Sequence, residues 1–163
     1  MAENDGFIIG EFPRTLDDRY RIQVPGEIIA ALVNEDAENH CILAKERPGA
    51  LSLWNAEQWK ERLDKDVQLV KSKIQAGRLE GRIEQVQLLG RLLSTRHEHV
   101  DLTESGRLLI PKRFREFLGV EPGSQVLIIG AAVCLEIWSP DAWVDYLGAT
   151  IPEFRKLLDE LAD

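Results

Sequence analysis

Apolar and polar residues alternate in short runs in two stretches of this chain. Elsewhere the apolar residues recur every three to four positions. Strict alternation predicts half-buried strands. Residues 11–16 and 21–24 make one pair of short runs, separated by Asp17-Asp18-Arg19-Tyr20. Residues 98–102 and 107–110 make another, separated by Thr103-Glu104-Ser105-Gly106. Short runs flanking such turns predict β-hairpins. Gly106 suits a backbone that needs positive φ, whereas Tyr20 in the equivalent slot lacks that freedom, so the two turns are expected to differ locally. Pro25 and Pro111 then close the strands and open short helices, because the N–H that proline lacks is not needed at a first helical position. Ile28, Ile29 and Leu32 give the first of these helices an apolar face. Phe114, Phe117 and Leu118 do so for the second, which stops at Gly119, a C-cap residue. Strands are predicted over 41–45, 51–54, 125–129 and 133–138.

The helical period takes over between these stretches. Residues 56–75 carry Trp59, Leu63, Val67, Val70 and Ile74 on one stripe; Gly77 breaks it. Residues 78–93 form a second amphipathic helix, with Leu79, Ile83, Val86, Leu89, Leu92 and Leu93. Phe154, Leu157, Leu158 and Leu161 continue the pattern at the C-terminus.

The two alternating stretches are copies of each other. Leu16 to Pro25 falls on Leu102 to Pro111 with an offset of 86, and Trp54 and Trp59 fall on Trp138 and Trp143 with an offset of 84. Two copies of one short unit usually bury their apolar faces together. Each copy reads β-β-α-β-β followed by helix.

Composition narrows the class. Hydrophobic content of 44% with 29% charged residues is that of a soluble globular protein. No apolar run reaches the ~18 residues of a membrane helix, and residues 1–10 lack the basic and apolar regions of a secretory signal. Cys41 and Cys134 are not equivalent in the repeats and are expected to be reduced thiols. The net charge of −8 argues against nucleic acid only if the charge is spread evenly. It is not. Arg107, Lys112, Arg113 and Arg115 share a window without an acid, and Arg14, Arg19 and Arg21 form a second cluster beside Asp17 and Asp18. The acids gather at 34–38 and 153–163.

Motifs for catalysis and cofactors are missing: no nucleophile–His–acid order, no phosphate-binding glycine loop, and no metal-ligand spacing. His97 and His99 lack a third clustered ligand and read as a polar strand entry. Asp17 and Asp18 adjoin arginines that keep them ionised. No enzyme, metal or cofactor is expected. The four tryptophans have apolar neighbours and read as structural.

The paired Asp17-Asp18-Arg19-Tyr20-Arg21…Pro25 and Ser105-Gly106-Arg107-Leu108-Leu109-Ile110-Pro111 segments resemble the MraZ family, relatives of the AbrB-type regulators. So do the aliphatic-Trp segments and Gln87-Leu88-Leu89-Gly90. The resemblance runs from about residue 10 to 143; Thr103 stands where the family motif has Asp, and Tyr20 where it has Gly. It implies an α+β fold: two tandem AbrB-like, swapped-hairpin β-α-β repeats forming a barrel, with packed helices. On this reading the repeats occupy 11–57 and 97–140, a helical connector 58–96, and a helical tail 141–163. It implies a cytoplasmic, nucleoid-associated regulator, a homo-oligomer (dimer or larger ring) that binds tandem short repeats in double-stranded promoter DNA and represses the division and cell-wall gene cluster containing its own gene. The alternative is an oligomeric scaffold of the same build that has lost DNA binding. Arg21 and Arg107, at the hairpin tips, could reach guanine edges or clamp phosphates, with Asp17 orienting Arg21; equally, such an arginine could merely tie its own turn to a carboxylate. Arg14, Arg19, Lys112, Arg113 and Arg115 are the candidate phosphate anchors.

Overall fold

A computed structural model of the chain describes residues 6–33 and 39–163. The acidic stretch at 34–38 and the first five residues of the N-terminal segment lie outside the described residues. In chain order the elements are β1 (Glu11–Thr15), β2 (Arg21–Gln23), α1 (Gly26–Leu32), β3 (His40–Arg47), β4 (Ala50–Asn55), α2 (Ala56–Gln75), α3 (Ile83–Thr95), β5 (His97–Asp101), β6 (Arg107–Leu109), α4 (Lys112–Leu118), β7 (Gln125–Gly130), β8 (Leu135–Trp138) and α5 (Pro140–Ala162). The class is α+β, with the sheets antiparallel.

The repeats interleave. β1 of the first repeat pairs with β7 of the second, Glu11 opposite Ile129 and Thr15 opposite Gln125. In return, β5 of the second pairs with β3 of the first, His97 opposite Ala44. β4 and β8 meet at the centre, with Leu51 opposite Ile137, Ser52 opposite Glu136 and Leu53 opposite Leu135. Exchanging each residue for its repeat equivalent carries the first of these pairs onto the last. The internal repeat is therefore an approximate two-fold relation in the pairing itself.

Two expectations are corrected here. The runs around each turn are not hairpins: β1 and β5 pair with the other repeat, whereas β2 and β6 pair with each other in a separate two-stranded ribbon. Nor is there a closed barrel among the described residues. The six strands run in the order β1-β7-β8-β4-β3-β5, leaving β1 and β5 as open edges. The physical reason is the same in both cases. After each edge strand the chain turns out of the sheet and meets the corresponding strand of the other repeat.

One core cluster draws on both repeats, including Leu16, Ile22, Val24, Ile28, Leu43, Leu53, Leu102, Leu108, Ile110, Phe114, Val126 and Ile137. Neither repeat closes a core of its own. α1 and α4 follow Pro25 and Pro111 as expected. Gly119 ends α4 at φ 72°, its N–H donating to the Arg115 carbonyl. α2 starts at Asn55, whose Oδ1 accepts from the Glu57 and Gln58 amides while its Nδ2 donates to the Leu32 carbonyl, docking α2 to the end of α1. The second connector helix begins at Ile83, five residues later than the periodicity predicts. Gly77 and Gly81 both take positive φ, and turns fill the interval.

The tryptophans are structural. Trp54 and Trp138 are buried, and the equivalent Trp59 and Trp143 pack on them at 5.8 and 5.2 Å. The Trp54 indole donates to Ser52, and the Trp138 indole to Glu136, two residues back in each case. Burial raises the Glu136 carboxyl above its ordinary range, opposed by that indole bond. Cys41 and Cys134 are free and buried, and burial pushes both thiols up to about 12. Among the described residues no group of side chains could hold a metal ion, and no helix is long and apolar enough to cross a membrane. His97 packs on Trp59 at 5.3 Å, and burial lowers its pKa.

Candidate nucleic-acid interface

The ribbon is the part of the fold that collects the candidate arginines. Its register sets Arg21 opposite Leu109, Ile22 opposite Leu108 and Gln23 opposite Arg107. Further bonds extend it at both ends: the Ile110 amide donates to the Tyr20 carbonyl, and the Val24 amide donates to the Gly106 carbonyl. These two bonds are repeat equivalents, so the two-fold relation passes through Ile22 and Leu108. Side chains alternate across a ribbon. Ile22, Val24, Leu108 and Ile110 face the core and are buried. Arg21, Gln23, Arg107 and Leu109 share the outward face. Two arginines that are 86 positions apart in sequence thus lie on one short surface.

Their surroundings differ. In the first turn Asp17 Oδ1 accepts from the Arg19 and Arg21 amides, each at 2.9 Å, and Oδ2 accepts from Arg21 Nε at 2.9 Å. The bond from the Arg21 amide is the largest reason the Asp17 carboxyl lies below its ordinary range; desolvation, the next largest effect, opposes it, and the Arg19 amide and the Arg21 guanidinium reinforce it. In the second turn Thr103 Oγ1 accepts from the Arg107 amide at 2.9 Å. Thr103 therefore does the backbone part of Asp17's work and none of the ionic part. Arg107 is exposed, and its guanidinium has no hydrogen bond or ion pair among the described residues.

Tyr20 and Gly106 both occupy the left-handed region, at φ 60° and 83°. Each is matched by a different neighbour from the following helix. The Arg115 guanidinium lies 4.1 Å from the centre of the Tyr20 ring, and its Nε donates to the Ile110 carbonyl. This cation–π contact helps offset the strain of a tyrosine at positive φ. At the equivalent place Ile29 packs against Gly106, where a Cβ would come within 2.5 Å of the Ile29 side chain. The Tyr–Arg and Gly–Ile pairs are alternative fillings of the same joint.

The other candidates divide. Arg14 sits at the Arg107 end of the ribbon, its Nε donating to the Gln23 carbonyl and its Nη1 to the Pro13 carbonyl. Arg19, in the first turn, and Lys112, at the start of α4, are exposed, with no side-chain partner among the described residues. Arg113 is drawn away from the ribbon. Its guanidinium donates to the carbonyls of Thr95 and His97 and pairs with Glu98 at 3.3 Å, fastening α4 to the start of β5. Gln23 and Leu109, which carry no charge to mark them, lie on the same face as the arginines, as the alternation through 21–24 and 107–110 requires.

The Asp17 clamp has a testable pH signature. Its folded-state pKa is lowered, so the stability it contributes is present above its unfolded value of about 4 and is lost as pH falls through the folded value. Thermal melts of Asp17→Asn are expected to show a shallower acid limb below about pH 4 than the parent. Superimposable acid limbs would mean that the clamp is not formed in solution. The second turn, capped by Thr103, adds no such dependence.

The fold and site define a two-repeat α+β module with an exposed, arginine-bearing ribbon and no catalytic constellation among the described residues. Comparison with known proteins agrees with that class. Residues 95–160 match the family described as "MraZ protein, putative antitoxin-like". The chain is 26% identical to "Transcriptional regulator MraZ" of Treponema denticola, over 94% of this chain and 96% of that protein. Proteins of the same name from a Thermoanaerobacter species (26% identical, 96% and 97% covered) and Thermus thermophilus (27%, 82% and 83%) are similarly related. Over residues 95–160 the chain is thus similar to the MraZ family, and the relatives that it matches along most of its length are named as transcriptional regulators.

Proposed function

We propose that the protein is an oligomeric, sequence-specific DNA-binding regulator that docks the β2–β6 ribbon in the major groove of promoter DNA. The observation that carries this reading is the convergence of Arg21 and Arg107 on one outward face, over a buried Ile22–Leu108 base. A major groove is wide enough for a two-stranded ribbon, and arginine can bond a guanine edge through two N–H groups. Arg19 and Lys112, with the unused N–H groups of Arg14 and Arg115, supply phosphate contacts around that face. Arg113 is a fastening between α4 and β5 and makes no such contact in this arrangement.

The exchange of β1 and β5 between repeats supports a swapped-hairpin, AbrB-type arrangement in which 11–57 and 97–140 act as one body, carrying the connector 58–96 and the tail 141–163. Assembly follows from the helices. No residue of α2, α3 or α5 is buried, yet Ile83, Leu88 and Leu92 on α3 and Ile151, Phe154 and Leu161 on α5 are large, apolar and exposed. Apolar surface on that scale marks an interface, here with further copies of the chain in a dimer or ring. Tandem DNA boxes then match repeated ribbons. Repression of the division and cell-wall cluster that includes its own gene, at the nucleoid in the cytoplasm, is the role proposed for it.

An electrophoretic shift on the DNA upstream of its own gene tests the reading. Retardation is expected at protein concentrations that leave unrelated DNA of equal length free. Retardation of neither DNA would favour the oligomeric scaffold that has lost DNA binding, and equal retardation of both would overturn the sequence specificity.

A further inference from the structure

The outward face of the ribbon is not symmetric. Arg21 and Arg107 are repeat equivalents, but the next outward residue is Gln23 on β2 and Leu109 on β6. Leu109 is 50% exposed although it lies in the middle of a basic surface. Arg21 stands opposite it on β2, and Arg107 precedes it by two positions on β6. An apolar side chain ringed by cations is poorly placed for a protein–protein core, since burying it would strip water from two guanidinium groups. Gln23 cannot take the same part, because its amide nitrogen donates across the ribbon to the Ser105 carbonyl and so braces the second turn.

We propose that Leu109 is a specificity-determining residue that packs on the 5-methyl group of thymine in the major groove, beside the bases contacted by Arg21 and Arg107. The inference rests on the DNA-binding function proposed above. The chemistry is direct. Thymine alone among the bases carries an apolar group in the major groove. Each methyl group taken out of water is worth about fourfold in affinity. The ribbon then reads its two half-sites differently, with an apolar contact on the β6 side only.

The test uses the full-length protein and the DNA upstream of its own gene, amplified once with thymidine and once with deoxyuridine triphosphate. Uracil differs from thymine only by the missing 5-methyl. The parent protein is expected to bind the uracil DNA about fourfold more weakly for each methyl contacted. Leu109→Gln, which restores the first repeat's residue at an exposed site, is expected to bind both DNAs alike. Its oligomeric mass by light scattering is expected to be unchanged. Equal binding of the two DNAs by the parent, or an undiminished difference in Leu109→Gln, would overturn the inference while leaving DNA binding intact. A changed mass would also overturn it, making Leu109 a contact between copies. Failure of the parent to bind thymine DNA would remove the proposed function and this inference together.

Discussion

Arg21→Ala combined with Arg107→Ala is expected to remove specific binding to promoter DNA while the protein stays folded. Each arginine that bonds a base edge contributes about 1–3 kcal/mol. If the two are independent, the pair is worth between about thirtyfold and more than ten-thousandfold. The single variants are expected to differ. Arg107 has no side-chain partner among the described residues, so its loss removes only the DNA contact, with stability changed by less than about 0.5 kcal/mol. Arg21 is joined to Asp17 at 2.9 Å. Its loss leaves an unpaired carboxylate on the face proposed to meet DNA. Arg21→Ala should therefore be the more damaging of the two, and Asp17→Ala added to it should recover part of the affinity. DNA titration with thermal melts in parallel checks this. Melting points lowered as by a core substitution, at unchanged affinity, would make both arginines ties for their own turns.

Binding is also expected to fall steeply with salt, although the protein carries a formal charge of −8. Each phosphate neutralised by Arg or Lys releases condensed counterions, with a slope of about −0.9 per contact in log K against log salt. Contacts from Arg14, Arg19, Lys112 and Arg115 would give a slope near −3.6, or roughly a hundredfold loss over a fourfold rise in salt. The acidic body repels DNA only within a Debye length, about 8 Å at physiological salt. In the proposed oligomer, linked ribbons would engage successive boxes with a high effective concentration, so DNA with several boxes should bind far more tightly than DNA with one. Titrations on one-box and multi-box DNA from low to physiological salt check both expectations. An affinity indifferent to salt, or equal for one box and several, would favour the scaffold.

Much of this was legible in the sequence because repeats and periodicity are local signals. The Pro-initiated helices, the long α2 with its break at Gly77, and the structural tryptophans follow from spacing and from the chemistry of proline and glycine. Strand partnership did not follow. Nothing in residues 11–24 distinguishes a β1 that pairs with β2 from one that pairs with β7, since the alternation is the same either way. The hairpins and closed barrel failed for that reason. The arginines were visible as charges, but their sharing of one face depends on the Ile22–Leu108 pairing. The diversion of Arg113 to Glu98 depends on β5 lying beside α4, a contact that sequence spacing does not encode.

Hydrogen–deuterium exchange on the complex with promoter DNA tests the central claim most directly, because it maps where the DNA lies on the protein. Slowed exchange is expected in peptides spanning 14–24 and 102–115, which carry both turns and both strands of the ribbon. Protection confined to α2, α3 or α5, with the ribbon exchanging as in the free protein, would contradict it.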